Sequence, residues 1–480
     1  MVREIQAGPF DRAPEPPPMT TCLPLVAPSF DAGTLSREEL ALPFVAAEKP
    51  RERWRVGLEA EKFGVYAHSG HPLLYDAPGG VLRLFDELAR TGRWRPESEY
   101  PGGPVVALRR GRAAVTLEPG AQCELSGAPH RDVHGVVTEL EGHMADLAPI
   151  CQELGLTWLG VGFHPLATQD DLSWVPKRRY PIMREYFMTR GRRGLDMMRR
   201  TATVQANFDY ESEADAMAKL TVCLRLVPVI AALFANAPLQ EGRLNGLRSA
   251  RQAVWLDVDP DRSGLIPTLW SKPEPRYADY VDWALDAGMF LFKRGEQIVL
   301  NTGQPFGSFL DDGFDGNAAT LDDWRLHLGT LFPEVRLKNT IEVRCCDAVP
   351  ATLTGAVPAL LTGILYDAQA LDRARDLVTP IQYEEAAAAR VEVPALGLRA
   401  ELAGRPMLWW AERVLDIASA GLAARARLRA DGRDERVYLE PLVRLIGSGQ
   451  SPADALTDKL ARGPLSTARI IDACWLGIGS

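Results

Sequence analysis

Residues 55–66 read RVGLEAEKFGVY. Val56, Leu58 and Ala60 alternate with Gly57, Glu59 and Glu61, the period-two pattern of a half-buried β-strand. The face opposite the apolar residues carries two like charges, Glu59 and Glu61, one side-chain spacing apart. Solvent accounts for such a pair on an exposed face. A divalent cation held by both carboxylates accounts for it as well, and one strand does not decide between the two.

Other strands carry the same kind of face. In TVQANF, residues 203–208, Gln205 and Asn207 share a face while Val204 and Ala206 point the other way. In TIEVRCC, residues 340–346, Glu342 and Arg344 share a face, with Ile341 and Val343 opposite. The runs AAVTLE and QCELSG flank Pro119-Gly120, a hairpin signal, and a turn near Ala121 brings Glu118 close to Glu124. Carboxylates stacked in one sheet repel one another unless a cation sits among them. Oxygen ligands from several strands suit Mg²⁺, and the lack of histidine on these faces weighs against zinc.

A second feature is rich in arginine: KRRYPIMREYF, GLDMMRRTATVQ and SARQAVWLDVDPDRSG. A solvated basic surface explains any one of these clusters. Arg179 is followed by Tyr180, Pro181, Ile182 and Met183, however, and Arg251 leads into Ala253, Val254 and Trp255. Such company suits partly buried guanidiniums with an anionic partner, for which an amino-acid α-carboxylate serves. The chain has no GxxxxGK[ST] motif and no GxGxxG after a strand. A nucleotide therefore has to bind through metal-bridged phosphates and arginines on a sheet.

The rest of the chain sets the frame. Its 480 residues are 46% hydrophobic and 24% charged, a globular composition able to bury a large core. A net charge of -9 argues against nucleic acid as a main partner. Residues 220–237 and 349–366 are apolar but interrupted by Arg225, Pro228, Pro350 and Pro358, and read as buried helices, not membrane spans. The N-terminal MVREIQAGPFDRAPEPPP has no apolar targeting core, so a cytoplasmic protein is expected. Seven scattered cysteines without a CxxC pair read as reduced thiols, and Cys345-Cys346 as packing residues.

Residues 1–30 are expected to form a Pro-rich arm, and residues 31–480 one large catalytic domain with a helical region from about residue 350. Helical spacing marks 82–91 and 134–154, a capping box at Ser212 starts another helix, and 238–276 looks loop-rich. LDDWRLHLGTLFP reads as a helix stopped by Pro333. Strands follow hairpins and long helical excursions, not a regular βαβ beat. The fold class expected is α+β, built on a mainly antiparallel sheet.

RVGLEAEKFG, LEPGAQCELSG, RRYPIMREYF, GLDMMRRTATVQANFDYESEAD, LFANAPLQEGRLNG, RQAVWLDVDPDRSG and LFPEVRLKNTIEVR together resemble glutamate–cysteine ligase of the plant and proteobacterial type, in order along most of the chain. The resemblance implies a glutamine-synthetase-like sheet forming a funnel, with ATP and Mg²⁺ at one end. It implies Glu59, Glu61, Glu118, Glu124, Gln205 and Glu342 as metal ligands or their neighbours, with Asn207 beside them. Arg344 is expected to face the transferring phosphoryl group. Arg179 and Arg251, with Tyr180 and Trp255 adjoining, are expected at the substrate glutamate, and Arg262 at the nucleotide. The reaction implied is ATP-dependent joining of the L-glutamate γ-carboxylate to the L-cysteine amine through γ-glutamyl phosphate, the first step of glutathione biosynthesis. The motifs leave open a ligase with another amine acceptor, an ergothioneine-pathway synthase, a catalytically silent regulator and a Mg²⁺-dependent hydrolase. One departure from the plant-type pattern is Cys345-Cys346-Asp347, where that pattern runs Gly-Ala-Asp. The redox disulfides of the plant enzymes are not carried over.

Overall fold

A nine-stranded antiparallel sheet organises the protein. The computed structural model describes residues 35–477, so the proline-rich arm expected over 1–30 lies outside the described residues. Leu35–Ser480 groups as one compact unit. The strands are β1 (Val56–Tyr66), β2 (Arg95–Ser98), β3 (Val105–Arg110), β4 (Ala113–Leu117), β5 (Cys123–Ser126), β6 (Leu156–Leu159), β7 (Thr203–Phe208), β8 (Val335–Leu337) and β9 (Ile341–Asp347). Their spatial order is β8-β9-β7-β1-β5-β4-β3-β2, and β6 pairs with the far half of β1.

The quoted stretch is the strand that ties this sheet together. In its first half Val56, Leu58 and Ala60 are buried while Gly57, Glu59 and Glu61 are half-buried. β5 and β7 flank this half, and the alternation matches a sheet with one packed and one accessible face. From Lys62 to Val65 every residue is buried: Lys62 still pairs with Cys123 of β5, and from Phe63 onward β1 takes a different partner, β6. Lys62 points away from Glu59 and Glu61 and contacts the buried His143 imidazole at 3.0 Å.

Helices cover the apolar face. Glu213–Leu233, capped by Ser212, packs against β8 and β9, while Ala356–Leu365 packs against β7 and the long helix Met407–Arg425. The last two meet at glycines: a Cβ added at Gly421 would lie 1.9 Å from the Gly363 carbonyl oxygen. Only glycine permits so close a backbone crossing. Glu213–Leu233 is long and apolar enough to cross a bilayer, but its apolar stretch is 83% buried and it serves as a core helix.

Two expectations differ from the structure. The helix Leu321–Leu328 ends at Gly329, and Pro333 lies in a short strand, Phe332–Pro333, paired with Ser263–Gly264. The loop-rich stretch 238–276 contains a helix, Ala250–Trp255, capped by Ser249. At six residues it is too short to show periodicity, and tertiary packing holds it.

Candidate active site

The accessible face of the sheet forms one wall of a cavity of about 380 Å³. Register fixes which residues meet there. Glu59 stands opposite Gln205, and Glu61 opposite Glu124. The β4–β5 turn adds Glu118: Ala121 takes a positive φ of 67° to close it, and a Cβ on Gly120 would lie 2.5 Å from the Arg199 carbonyl. Four carboxylates, Glu59, Glu61, Glu118 and Glu124, thus line one region of the cavity with Gln205.

Polar neighbours aim these groups. Asn207 Nδ2 donates to Glu59 Oε1 at 3.0 Å, and the Thr203 amide donates to Glu61 Oε2 at 3.0 Å. Ser126 Oγ donates to Glu124. The donors do not balance the charge. Burial, together with the charges of Glu342 and Glu124, pushes the Glu59 carboxyl up to about 7. Burial, with Glu118 and Glu124 nearby, raises Glu61 well above the carboxylate range. Glu124 is raised by burial and by Glu118. A cation would relieve all three.

Guanidiniums line the same cavity. Arg179, Arg251, Arg336 and Arg344 line it with Tyr180, Trp255, Phe332 and three methionines, Met183, Met197 and Met198. The helices Arg179–Phe187 and Ala250–Trp255 supply Arg179, Tyr180, Arg251 and Trp255. Tyr180 is pinned by its hydroxyl to the Leu117 carbonyl at 3.0 Å, and the Arg179 guanidinium lies 5.0 Å from its ring. Arg251 donates through Nη2 to the Arg344 carbonyl at 2.7 Å and lies 3.7 Å from Asp347. Its Nε and Nη1 are buried without a hydrogen-bond partner, as is Trp255 Nε1. Buried donors left open beside a cavity are suited to a ligand's oxygens.

Three expected site residues do not line the cavity. Glu342 is 1% exposed and does not line the cavity. Arg336, its cross-strand partner, forks onto it, Nε to Oε2 at 2.8 Å and Nη2 to Oε1 at 2.9 Å. Burial opposes ionisation, but Arg336 and Arg344 outweigh it and hold the Glu342 carboxyl well below the usual range. Glu342 is therefore a charge-paired anchor for Arg344 in this structure. Asn207 also lies outside the cavity lining and acts by orienting Glu59. Arg262 is corrected from a nucleotide contact to a structural strut. It is fully buried, paired with Asp259 at 2.8 Å, donates to the Thr330 and Gly288 carbonyls, and lies 4.1 Å from the Phe290 ring.

The sequence reading missed Arg336, Thr203 and Gln122. Arg336 sits in VRL, a stretch too short for periodicity to give its face, and only pairing with β9 aims it. Cys345 and Cys346 are fully buried and do not line the cavity, so the departure at these positions leaves its wall untouched.

The oxygen donors fit Mg²⁺, which keeps water and phosphate in its shell. Among the described residues no three histidine, cysteine or acidic side chains form a ready-made metal cluster. The carboxylates would supply part of a cation's ligand set, and burial together with their neighbours' charges raises Glu59, Glu61 and Glu124 above the usual carboxylate range.

Residues 55–472 match the family model described as glutamate–cysteine ligase family 2. The chain is 37% identical over 427 residues to chloroplastic glutamate–cysteine ligase of Brassica juncea, covering 88% of this chain and 81% of that protein. It is 36% identical over 427 residues to the chloroplastic enzyme of Arabidopsis thaliana, covering 88% and 80%. The fold is similar to that of a glutamate–cysteine ligase from Francisella tularensis solved with AMP, with a TM-score of 0.56, 13% identity, and 89% and 88% of the two chains covered.

The relatives also overturn the cytoplasmic expectation, since they are plastid enzymes. Plastid transit segments are polar and amphipathic and have no apolar core.

Proposed function

The chain belongs to glutamate–cysteine ligase family 2, and from that premise we propose that it joins the γ-carboxylate of L-glutamate to the amine of L-cysteine with ATP, the first step of glutathione synthesis. The observation that carries this reading is the gathering of four carboxylates and a set of guanidiniums in one cavity.

A carboxylate is a poor electrophile and needs activation before an amine attacks it. The γ-carboxylate oxygen attacks the terminal phosphorus of ATP, giving γ-glutamyl phosphate and ADP, and the cysteine amine then displaces phosphate. Arg251, whose Nε has no hydrogen-bond partner, holds the α-carboxylate of glutamate, and Arg179 and Tyr180 line the same cavity. Arg344, fixed between Gln205 and Glu342, presents its charge to the phosphoryl group in transit. Glu59, Glu61, Glu118 and Glu124 would hold Mg²⁺, which would offset charge on the phosphate oxygens. Gln205 completes the donor set, and Trp255 and the methionines give the cavity an apolar wall that excludes water.

The test is ADP release by the purified protein with glutamate and a panel of amino acids. Release is expected to need both glutamate and an amine, with cysteine preferred. Buthionine sulfoximine is expected to give slow-onset inhibition only with ATP and Mg²⁺, and that trapping should be lost in Arg344→Ala. ADP release without an amine, or inhibition without ATP, would overturn the ligation route. Trapping by methionine sulfoximine alone would keep the route and remove cysteine as acceptor.

A further inference from the structure

A second cavity, of about 510 Å³, opens where the helices Ala356–Leu365 and Met407–Arg425 end beside the residues leading into β1. It shares no residue with the cavity described above. Five guanidiniums line it, those of Arg51, Arg55, Arg131, Arg425 and Arg427, against the carboxylates of Glu52 and Asp367.

Internal pairing does not cancel this charge. Arg51 meets Glu211 at 3.2 Å, and Arg425 meets the buried Glu435 at 3.1 Å. Among the described residues, Arg55, Arg131 and Arg427 form no ion pair. The Arg55 guanidinium donates instead to the Trp54 carbonyl at 2.8 Å. Arg425 Nη2 is buried and has no hydrogen-bond partner. Asp367 is engaged as a helix cap, accepting from the Ala370 amide at 2.9 Å. In a chain of net charge -9, an uncancelled cluster of guanidiniums around a concavity is an electrostatic trap for an anion.

The wall is preorganised. Tyr366 accepts from the Asp209 amide at 2.6 Å and donates to the Arg55 carbonyl at 2.6 Å, with the Arg425 guanidinium 5.4 Å from its ring. Planar forks on a fixed wall match a tetrahedral oxyanion better than a diffuse counter-ion.

We propose that this cavity binds a phosphate dianion, free or as the terminal group of a phosphorylated metabolite, between Arg55, Arg131, Arg425 and Arg427. The proposal does not depend on the ligase reading.

The test is phenylglyoxal labelling of the full-length protein, mapped by peptide mass spectrometry, in phosphate against chloride at equal ionic strength. Mapping by residue separates this cavity from any phosphate held at Arg344. Saturable protection of Arg131 and Arg427 is expected. In Arg427→Ala, which removes one exposed charge-assisted contact, the phosphate concentration protecting Arg131 should rise about tenfold. A second arm compares inorganic phosphate with glycerol phosphate. Equal protection assigns the site to the free ion, and stronger protection by the ester assigns it to a metabolite. Labelling of Arg131 and Arg427 that is the same in phosphate and chloride would overturn the proposal. So would protection of Arg131 that Arg427→Ala leaves unchanged.

Discussion

Arg336 on β8 stands directly opposite Glu342 on β9 and grips its carboxylate with two hydrogen bonds, at 2.8 and 2.9 Å. The same guanidinium donates to the Leu331 carbonyl at 2.9 Å, so it ties the end of the cavity wall to the strand that carries Arg344. Removing it leaves the buried Glu342 held by Arg344 and, at 3.9 Å, by Lys338. Arg336→Gln should cost about 1.5–3 kcal/mol of stability, the usual worth of hydrogen bonds to a charged group. Arg336→Lys should recover part of the loss. Thermal melting and ADP release, measured together, check this; a Gln variant of unchanged stability would mean that the pair is energetically idle.

The crowded carboxylates predict a proton count. With the Glu59 carboxyl pushed up to about 7, part of the Glu59 population carries a proton at pH 7, and a metal requires the ionised form. Binding of Mg²⁺ with nucleotide at pH 7 should therefore release protons, and Glu59→Gln should release fewer. Calorimetry in buffers of differing ionisation enthalpy measures the number. No difference between wild type and variant would remove Glu59 from the coordination sphere.

Arg251 separates substrate from nucleotide. Arg251→Ala should raise the glutamate KM far more than the ATP KM, because its guanidinium lines the cavity on the side assigned to the α-carboxylate. Loss of a charge-assisted contact to a buried anion costs about 2–4 kcal/mol, or roughly 30- to 1000-fold. Steady-state kinetics with each substrate varied in turn reads the split. Equal effects on both would move Arg251 to a structural role.

Acid should unfold the protein through two buried histidines that do not line the cavity. Burial depresses His164 and His327 from 6.5 to about 3, so both are neutral when folded. The unfolded chain then binds protons that the folded one refuses. Their contribution is complete above 6.5 and is lost as pH falls toward 3. At pH 5 each costs about 2 kcal/mol. Denaturation midpoints from pH 7 to pH 5 should fall, and less steeply in His327→Gln; parallel slopes would exclude His327 as a contributor.

The sequence by itself determined which residues face which way. Val56, Leu58 and Ala60 against Glu59 and Glu61 can be read from a two-residue period, because the pleat imposes it before any partner arrives. The capping serine at 212 and the hairpin at Pro119-Gly120 were legible for the same reason, being local chemistry of the backbone. Opposition across strands was not local. That Glu61 meets Glu124, that Glu59 meets Gln205, and that Glu342 meets Arg336 follow from register, which is set by the packing of residues far apart in the chain. Arg262 and Arg251 look alike in the sequence, eleven residues apart and each near an aspartate. Only the tertiary structure closed carbonyls, an aspartate and a phenyl ring around the first and left the second with open donors at a cavity, because the environment of a guanidinium is decided by what folds against it.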